Sequence, residues 1–173
     1  MSGFGGRMGP MGYFLEGIDN SNVTLTATAG TASASAGCKV DEFGDTIMIM
    51  GFQSPSGGVI FQSTDDGNTW TSAVAANSLT NNSVASIAYK PPSGRDEGTY
   101  VAGVLNSNGE VLVSTDDGKT WIDFDPYPGV SSIRSIAYGN GTFVAVGDNG
   151  QDFITSPDGL VWTQQEYTGT VYN

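Results

Sequence analysis

The chain has 173 residues, enough for one domain with an arm, and carries 18 acidic against 6 basic side chains, a formal net charge of −12 with no histidine. Its bases, Arg7, Lys39, Lys90, Arg95, Lys119 and Arg134, are scattered, whereas a phosphate backbone or an anionic bilayer needs them clustered; nucleic acid and membrane insertion are both disfavoured. The lone Cys38 permits neither an internal disulfide nor a thiolate metal site, and without histidine no Ser/His/Asp or Cys/His nucleophile can be activated.

Residues 1–22 are Gly-rich, with Phe4, Met8, Met11, Tyr13, Phe14 and Leu15 interspersed. That is too little apolar surface for a core, so the segment is either a free tail or an arm that docks on a partner, with Phe4, Met8, Met11 and Phe14 as candidate partner contacts. The pattern is not basic-then-apolar, which argues against a signal peptide, and no run approaches a membrane span. Residues 23–28 (Val-Thr-Leu-Thr-Ala-Thr) alternate as one strand, and residues 29–37 read as a small-residue linker. Residues 1–35 are therefore expected to form an N-terminal arm with one strand, preceding a folded region at 36–173.

That region is a threefold repeat. Its clearest phrases are Ser63-Thr-Asp-Asp-Gly-Asn-Thr-Trp70, Ser114-Thr-Asp-Asp-Gly-Lys-Thr-Trp121 and Thr155-Ser-Pro-Asp-Gly-Leu-Val-Trp162, each preceded by an apolar strand-like run. Upstream, Ser86-Ile-Ala-Tyr89 recurs letter for letter as Ser135-Ile-Ala-Tyr138. The spacing predicts four short strands and three hairpin turns per unit, at about 36–75, 82–125 and 131–166, followed by a C-terminal strand or tail. Asn-Gly, Gly-Gly and Asp-Gly pairs mark the turns, and no segment shows helical periodicity.

The phrases Ser63-x-Asp65-x-Gly67-x-Thr69-Trp70 and Ser114-x-Asp116-x-Gly118-x-Thr120-Trp121 resemble Asp-box (BNR, sialidase-type) repeats. The Ile-Ala-Tyr, Gly-Asn-Gly and Phe-Val-Ala-Val-Gly frame is similar to blades of photosystem II assembly-factor-like and sialidase-like propellers. The resemblance covers about residues 36–165. It implies an all-β fold of three four-stranded antiparallel β-propeller-type blades, with each box in the turn between a blade's third and fourth strands. The third copy is read as degenerate, with Pro157 at the box aspartate and Asp158, Gly159 and Trp162 retained.

The box residues read as structural. Ser63, Asp65, Ser114 and Asp116 can brace their own turns, Gly67, Gly118 and Gly159 supply a left-handed position, and Trp70, Trp121 and Trp162 are pegs between sheets. Asp65/Asp66 and Asp116/Asp117 lack the ligand spacing of a calcium loop, so no metal or cofactor is expected. Sialidase-like hydrolysis would need an arginine triad; of the three arginines only Arg134 falls on a predicted blade strand, and Tyr89 and Tyr138 sit in a repeated packing position. A non-enzymatic role follows.

Three blades are fewer than the four to eight of a closed propeller, so the expectation is an assembled chain: a homo-oligomer or a contact with other structural proteins. The leading functional reading is a bacteriophage virion component of the tail, fibre-adaptor or capsid-associated type, made in the host cytoplasm. The alternatives are a carbohydrate- or cell-surface-binding module, using the loop 90–98 with Arg95 and with Tyr100 at its end, and an assembly factor.

Overall fold

The computed structural model describes residues 35–40, 46–52, 59–73, 82–93, 98–106, 109–124, 131–148 and 152–166. Phe4, Met8, Met11, Phe14, the strand expected at 23–28, Arg95 and the tail 167–173 lie outside them. Every described regular element is a strand. The first sheet holds β1 (Ser35–Val40), β2 (Thr46–Phe52), β3 (Val59–Ser63) and β4 (Thr71–Ser72). The second holds β5 (Ser83–Lys90), β6 (Thr99–Leu105), β7 (Val111–Ser114) and β8 (Ile122–Phe124). The third holds β9 (Ile133–Gly139), β10 (Thr142–Gly147), β11 (Asp152–Ser156) and β12 (Thr163–Glu166).

Each sheet is an antiparallel meander in which chain order is spatial order, as hairpin-linked repeats require. The link from β9 to β10 shows the local cause. Gly139 pairs with Thr142, and the two residues between them, Asn140 and Gly141, both have positive φ (49° and 79°). That is the backbone a two-residue hairpin needs to match strand twist, and Asn-Gly adopts it at low cost. One boundary differs from the sequence reading: β1 begins at Ser35, inside the segment read as a linker, because Ser35, Ala36 and Gly37 pair with Gly51, Met50 and Ile49. Cross-strand pairing, which composition does not report, decides that boundary.

The sheets stack in chain order. β5 packs against β1 and β2 of the first sheet, and β9 packs against β5 and β6 of the second. Period-2 alternation in the middle sheet therefore serves two cores at once. On one side Tyr100, Ala102, Val104 and Leu112 meet Ile47, Ile49 and Ile60. On the other, Val101, Val111 and Val113 meet Ile133, Ile136, Phe143, Ala145 and Ile154. Hence β6 is buried from Thr99 to Val104 and β7 along its whole length, whereas β9 and β10 alternate between buried and exposed.

Glycine fixes how closely the sheets approach. Gly51 lies directly beneath Val84, and a Cβ on Gly103 would stand 2.5 Å from Ile133 Cγ2 and 3.2 Å from Ile133 O. Neither neighbour can retreat, since one is a β-branched stem and the other backbone. Gly103→Val is expected to cost about 1–3 kcal/mol through overpacking, read as a lower urea midpoint at unchanged slope. An unchanged midpoint would mean that the second and third sheets are not packed this tightly.

Candidate functional site: the braced turns and the sheet faces

The three Trp-terminated turns fall between β3 and β4, between β7 and β8, and between β11 and β12, the third-to-fourth-strand position in every sheet. Their local chemistry is nearly identical. In the first, Ser63 Oγ donates to Asp65 Oδ1 (2.9 Å) and accepts from the Gly67 N–H (2.9 Å). Asp65 in turn accepts from the Thr69 N–H (2.8 Å) and the Thr69 hydroxyl (2.6 Å). In the second, Ser114 Oγ donates to Asp116 (2.8 Å) and accepts from Gly118 N–H (2.9 Å), while Asp116 takes both Thr120 donors (2.9 and 2.6 Å). The indole N–H groups of Trp70 and Trp121 each donate to the carbonyl of their turn glycine at 3.0 Å. Each indole thus has its one donor satisfied; Trp121 presents its apolar face to the core, whereas Trp70 is half-buried.

The third turn corrects the sequence reading. Ser156, not Thr155, occupies the serine position: its Oγ donates to Asp158 (3.0 Å) and accepts from Gly159 N–H (2.8 Å). Asp158 is therefore the bracing aspartate, accepting from Leu160 N–H (2.9 Å) and Val161 N–H (3.0 Å), and Trp162 donates to Gly159 O (2.9 Å). Pro157 matches Thr64 and Thr115, where no N–H is used by the brace. The turn is one residue shorter because it lacks a counterpart of Asp66 and Asp117, the two left-handed non-glycine residues (φ 59° and 62°) of the longer turns. Counting back from the tryptophan without a gap sets Thr155 at the serine position and Pro157 at the aspartate, one residue too early.

The turns also set the charge state of these carboxylates. Hydrogen bonds from the Thr69 hydroxyl and N–H hold Asp65 below the ordinary value of 3.8. For Asp116 and Asp158 partial burial acts in the opposite direction, but the bonds from Thr120 and Ser114, and from Val161, Leu160 and Ser156, outweigh it and lower both. Asp66 Oδ1 accepts from the Thr46 N–H at 2.7 Å, tying the first turn to β2. Among the described residues no three His, Cys, Asp or Glu side chains come together as a metal cage.

Other candidate residues fall into packing roles. Arg134 occupies a bulge in β9 and forms a two-pronged pair with Asp148, through Nε (2.5 Å) and Nη2 (2.7 Å). The hydrogen bond from Arg134 lowers Asp148 and in return raises Arg134. Tyr89 lies against Tyr100 with ring centroids 4.5 Å apart, and Tyr138 against Phe143 at 4.7 Å. Burial, reinforced by the charge of Asp117, raises the Tyr89 phenol. Tyr100 itself is fully buried between the first and second sheets rather than displayed on a loop. Burial of the Cys38 thiol falls outside the described side chains, although its backbone pairs with Met48.

The turn glycines are sockets for the preceding sheet, a role that spacing alone did not reveal. The space a Cβ would take on Gly118 is filled by Ile49 of the first sheet, and on Gly159 a Cβ would lie 2.7 Å from Val101 of the second. Gln62 adds a polar tie, donating from Nε2 to the Asp117 carbonyl at 2.7 Å. Ser86 of β5 bridges to β9, donating to Ile136 O (3.3 Å) and accepting from Ile136 N–H (3.1 Å). In its first copy, residues 86–89, Ser-Ile-Ala-Tyr is thus an inter-sheet brace as well as a packing motif.

Meandering four-stranded sheets stacked face to face, the second and third each with its turn socketing the sheet before it, define an all-β protein of propeller-type blades. Among solved structures the chain is similar to YCF48 bound to D1 peptide, with a TM-score of 0.52 and 18% sequence identity over 78% of this chain and 40% of that one. The chain thus spans well under half of the YCF48 chain it matches, and at this identity the likeness shows the fold alone. No family model and no curated protein matches it. No helix of the described residues is long and apolar enough to cross a membrane.

Two outcomes follow for stability. Trp121→Ala should cost about 3–5 kcal/mol in chemical denaturation, because it empties a buried site between two sheets. Asp65, Asp116 and Asp158 have folded values below their unfolded ones, so their contribution is complete above pH 3.8 and is lost as pH falls through the lowered values. Stability should stay level from neutral pH to about 4 and fall below it. Asp116→Asn should cost about 1–3 kcal/mol at neutral pH and make the acid limb shallower; an unaltered acid limb would contradict the brace.

Proposed function

We propose that the protein is a non-enzymatic structural or assembly module acting through protein–protein contacts, as a bacteriophage virion component of the tail, fibre-adaptor or capsid-associated type. Membership of the Asp-box repeat family is part of the same proposal, supported by the three Ser-x-Asp turns. The observation that carries the reading is the outer face of the third sheet. There Val144 and Val146 stand 38% and 42% exposed on β10, on the face that in the middle sheet is buried against a neighbour. An apolar sheet face of this kind is a contact surface rather than a solvent surface.

The side chains available for catalysis support the same reading. Asp65, Asp116 and Asp158 are held ionised by their turns, which suits acceptors and not proton donors. A phenol raised by burial, as at Tyr89, is a poor nucleophile. The glycan-binding alternative loses its nearest aromatic platform, because Tyr100 is enclosed between sheets. In the assembly-factor alternative the D1 peptide belongs to YCF48, and at 18% identity it is not carried over to this chain.

Particles banded on a density gradient from a producing culture are expected to contain the chain at fixed stoichiometry by mass spectrometry. The purified chain is expected to leave a fluorogenic sialoside uncleaved. Recovery only in the particle-free fraction, or saturable binding on a glycan array, would overturn the reading.

A further inference from the structure

We infer that the open face of the third sheet binds the first sheet of a second copy of this chain, head to tail, repeating the contact that already joins the chain's own sheets. The inference rests on the assembly reading above and names its partner.

The strand registers align the three sheets residue by residue. Ser63, Ser114 and Ser156 pair with Met48, Tyr100 and Phe143 respectively, so Ile49, Val101 and Val144 are equivalent, as are Gly51, Gly103 and Val146. Ser86 pairs with Gly103 and Ser135 with Val146, which makes the two serines equivalent too. Two inter-sheet contacts therefore have a third, unfilled copy. Ile49 stands over Gly118 and Val101 over Gly159, while their counterpart Val144 stands exposed. Ser86 bridges to the backbone of Ile136, while its counterpart Ser135 is exposed, with no such strand beside it among the described residues.

The complementary half lies on the first sheet. Gly67 has the same left-handed geometry as Gly118 and Gly159 (φ 83°, 83° and 84°), but its nearest neighbours are Met48 and Trp70 of its own sheet. Met48, Met50, Phe61 and Trp70 are half-buried there, whereas Trp121 and Trp162 are buried by the sheet that precedes them. Gly67 is the socket for Val144, with the flexible Met48 yielding to it. The backbone of Ala36, which pairs with Met50 as Ile136 pairs with Ala145, is the partner for Ser135.

One position departs from the repeat in a way that favours a second copy. Inside the chain the contact pairs glycine with a large residue, Gly51 with Val84 and Gly103 with Ile133. Across the inferred contact Val146 replaces the glycine. The residue two places ahead of Ser35 is Ser33, in the sequence position that Val84 holds ahead of Ser86 and Ile133 ahead of Ser135. In the sequence, large and small are thus exchanged together. A heterologous contact of this kind closes a ring when its rotation fits, and the described sheets of two copies supply six blades, within the four to eight of closed propellers.

Light scattering on the purified chain is expected to give twice 17.9 kDa. The mass should persist at raised salt, because two chains of charge −12 repel each other less when screened. Val144→Glu with Val146→Glu changes two exposed side chains and should weaken association on the order of 100-fold or more, leaving a single-chain mass with unchanged circular dichroism. Ser135→Ala, milder and also at an exposed site, should weaken it about fivefold. A wild-type chain that stays single at its highest soluble concentration overturns the inference, and if it still bands with particles the assembly reading stands. A two-chain mass that survives both variants overturns the assigned face and likewise leaves that reading standing.

Discussion

A turn that places a bare α-carbon against the neighbouring sheet is the contact on which the rest of this fold depends. Gly118 and Gly159 are held in the left-handed region by serine and aspartate side chains within four residues, and the space where a side chain would stand is taken by Ile49 and Val101 from the sheet before. The same glycines offer their carbonyls to Trp121 and Trp162, whose rings close the core beside the socket. One short segment therefore ends a hairpin, satisfies an indole and receives a neighbour. Without it, the register between sheets would rest on the Ser86 bridge and on the close approaches at Gly51 and Gly103.

The acidity of the chain fits this division of labour. The turn carboxylates are acceptors consumed by hydroxyl and backbone donors, and Asp148 is consumed by Arg134. Charge thus goes to bracing loops, while packing between the sheets falls to faces rich in β-branched residues. That separation accords with the assembly role proposed above; carboxylates of a general acid would need to exchange protons near neutral pH.

Much of the architecture was legible in the sequence, because hairpin turns and alternating strands are local signals. The pairs Asn140-Gly141, Asp66-Gly67 and Asp117-Gly118 marked turns, and the three tryptophans marked the pegs. What was not legible depends on partners distant in sequence. The start of β1 at Ser35 is set by Gly51, the closeness of Gly103 by Ile133, and the bridging role of Ser86 by Ile136. Pro157 was misread for a different reason: a one-residue deletion cannot be positioned by letters when Ser156 and Asp158 each have two possible counterparts. Hydrogen bonding placed it at once.

The dependence of inter-sheet packing on the turn brace is open to one direct measurement, a double-mutant cycle on unfolding free energy with Ile49→Val and Ser114→Ala. The two side chains meet through Gly118: Ser114 fixes its N–H, and Ile49 fills the space above it. If the brace builds the socket, removing Ser114 removes part of what Ile49 gains, and the pair should couple by about 0.5–3 kcal/mol. Additivity within about 0.5 kcal/mol would mean that the turn and the sheet contact are independent, and would contradict the central role given to the braced glycine.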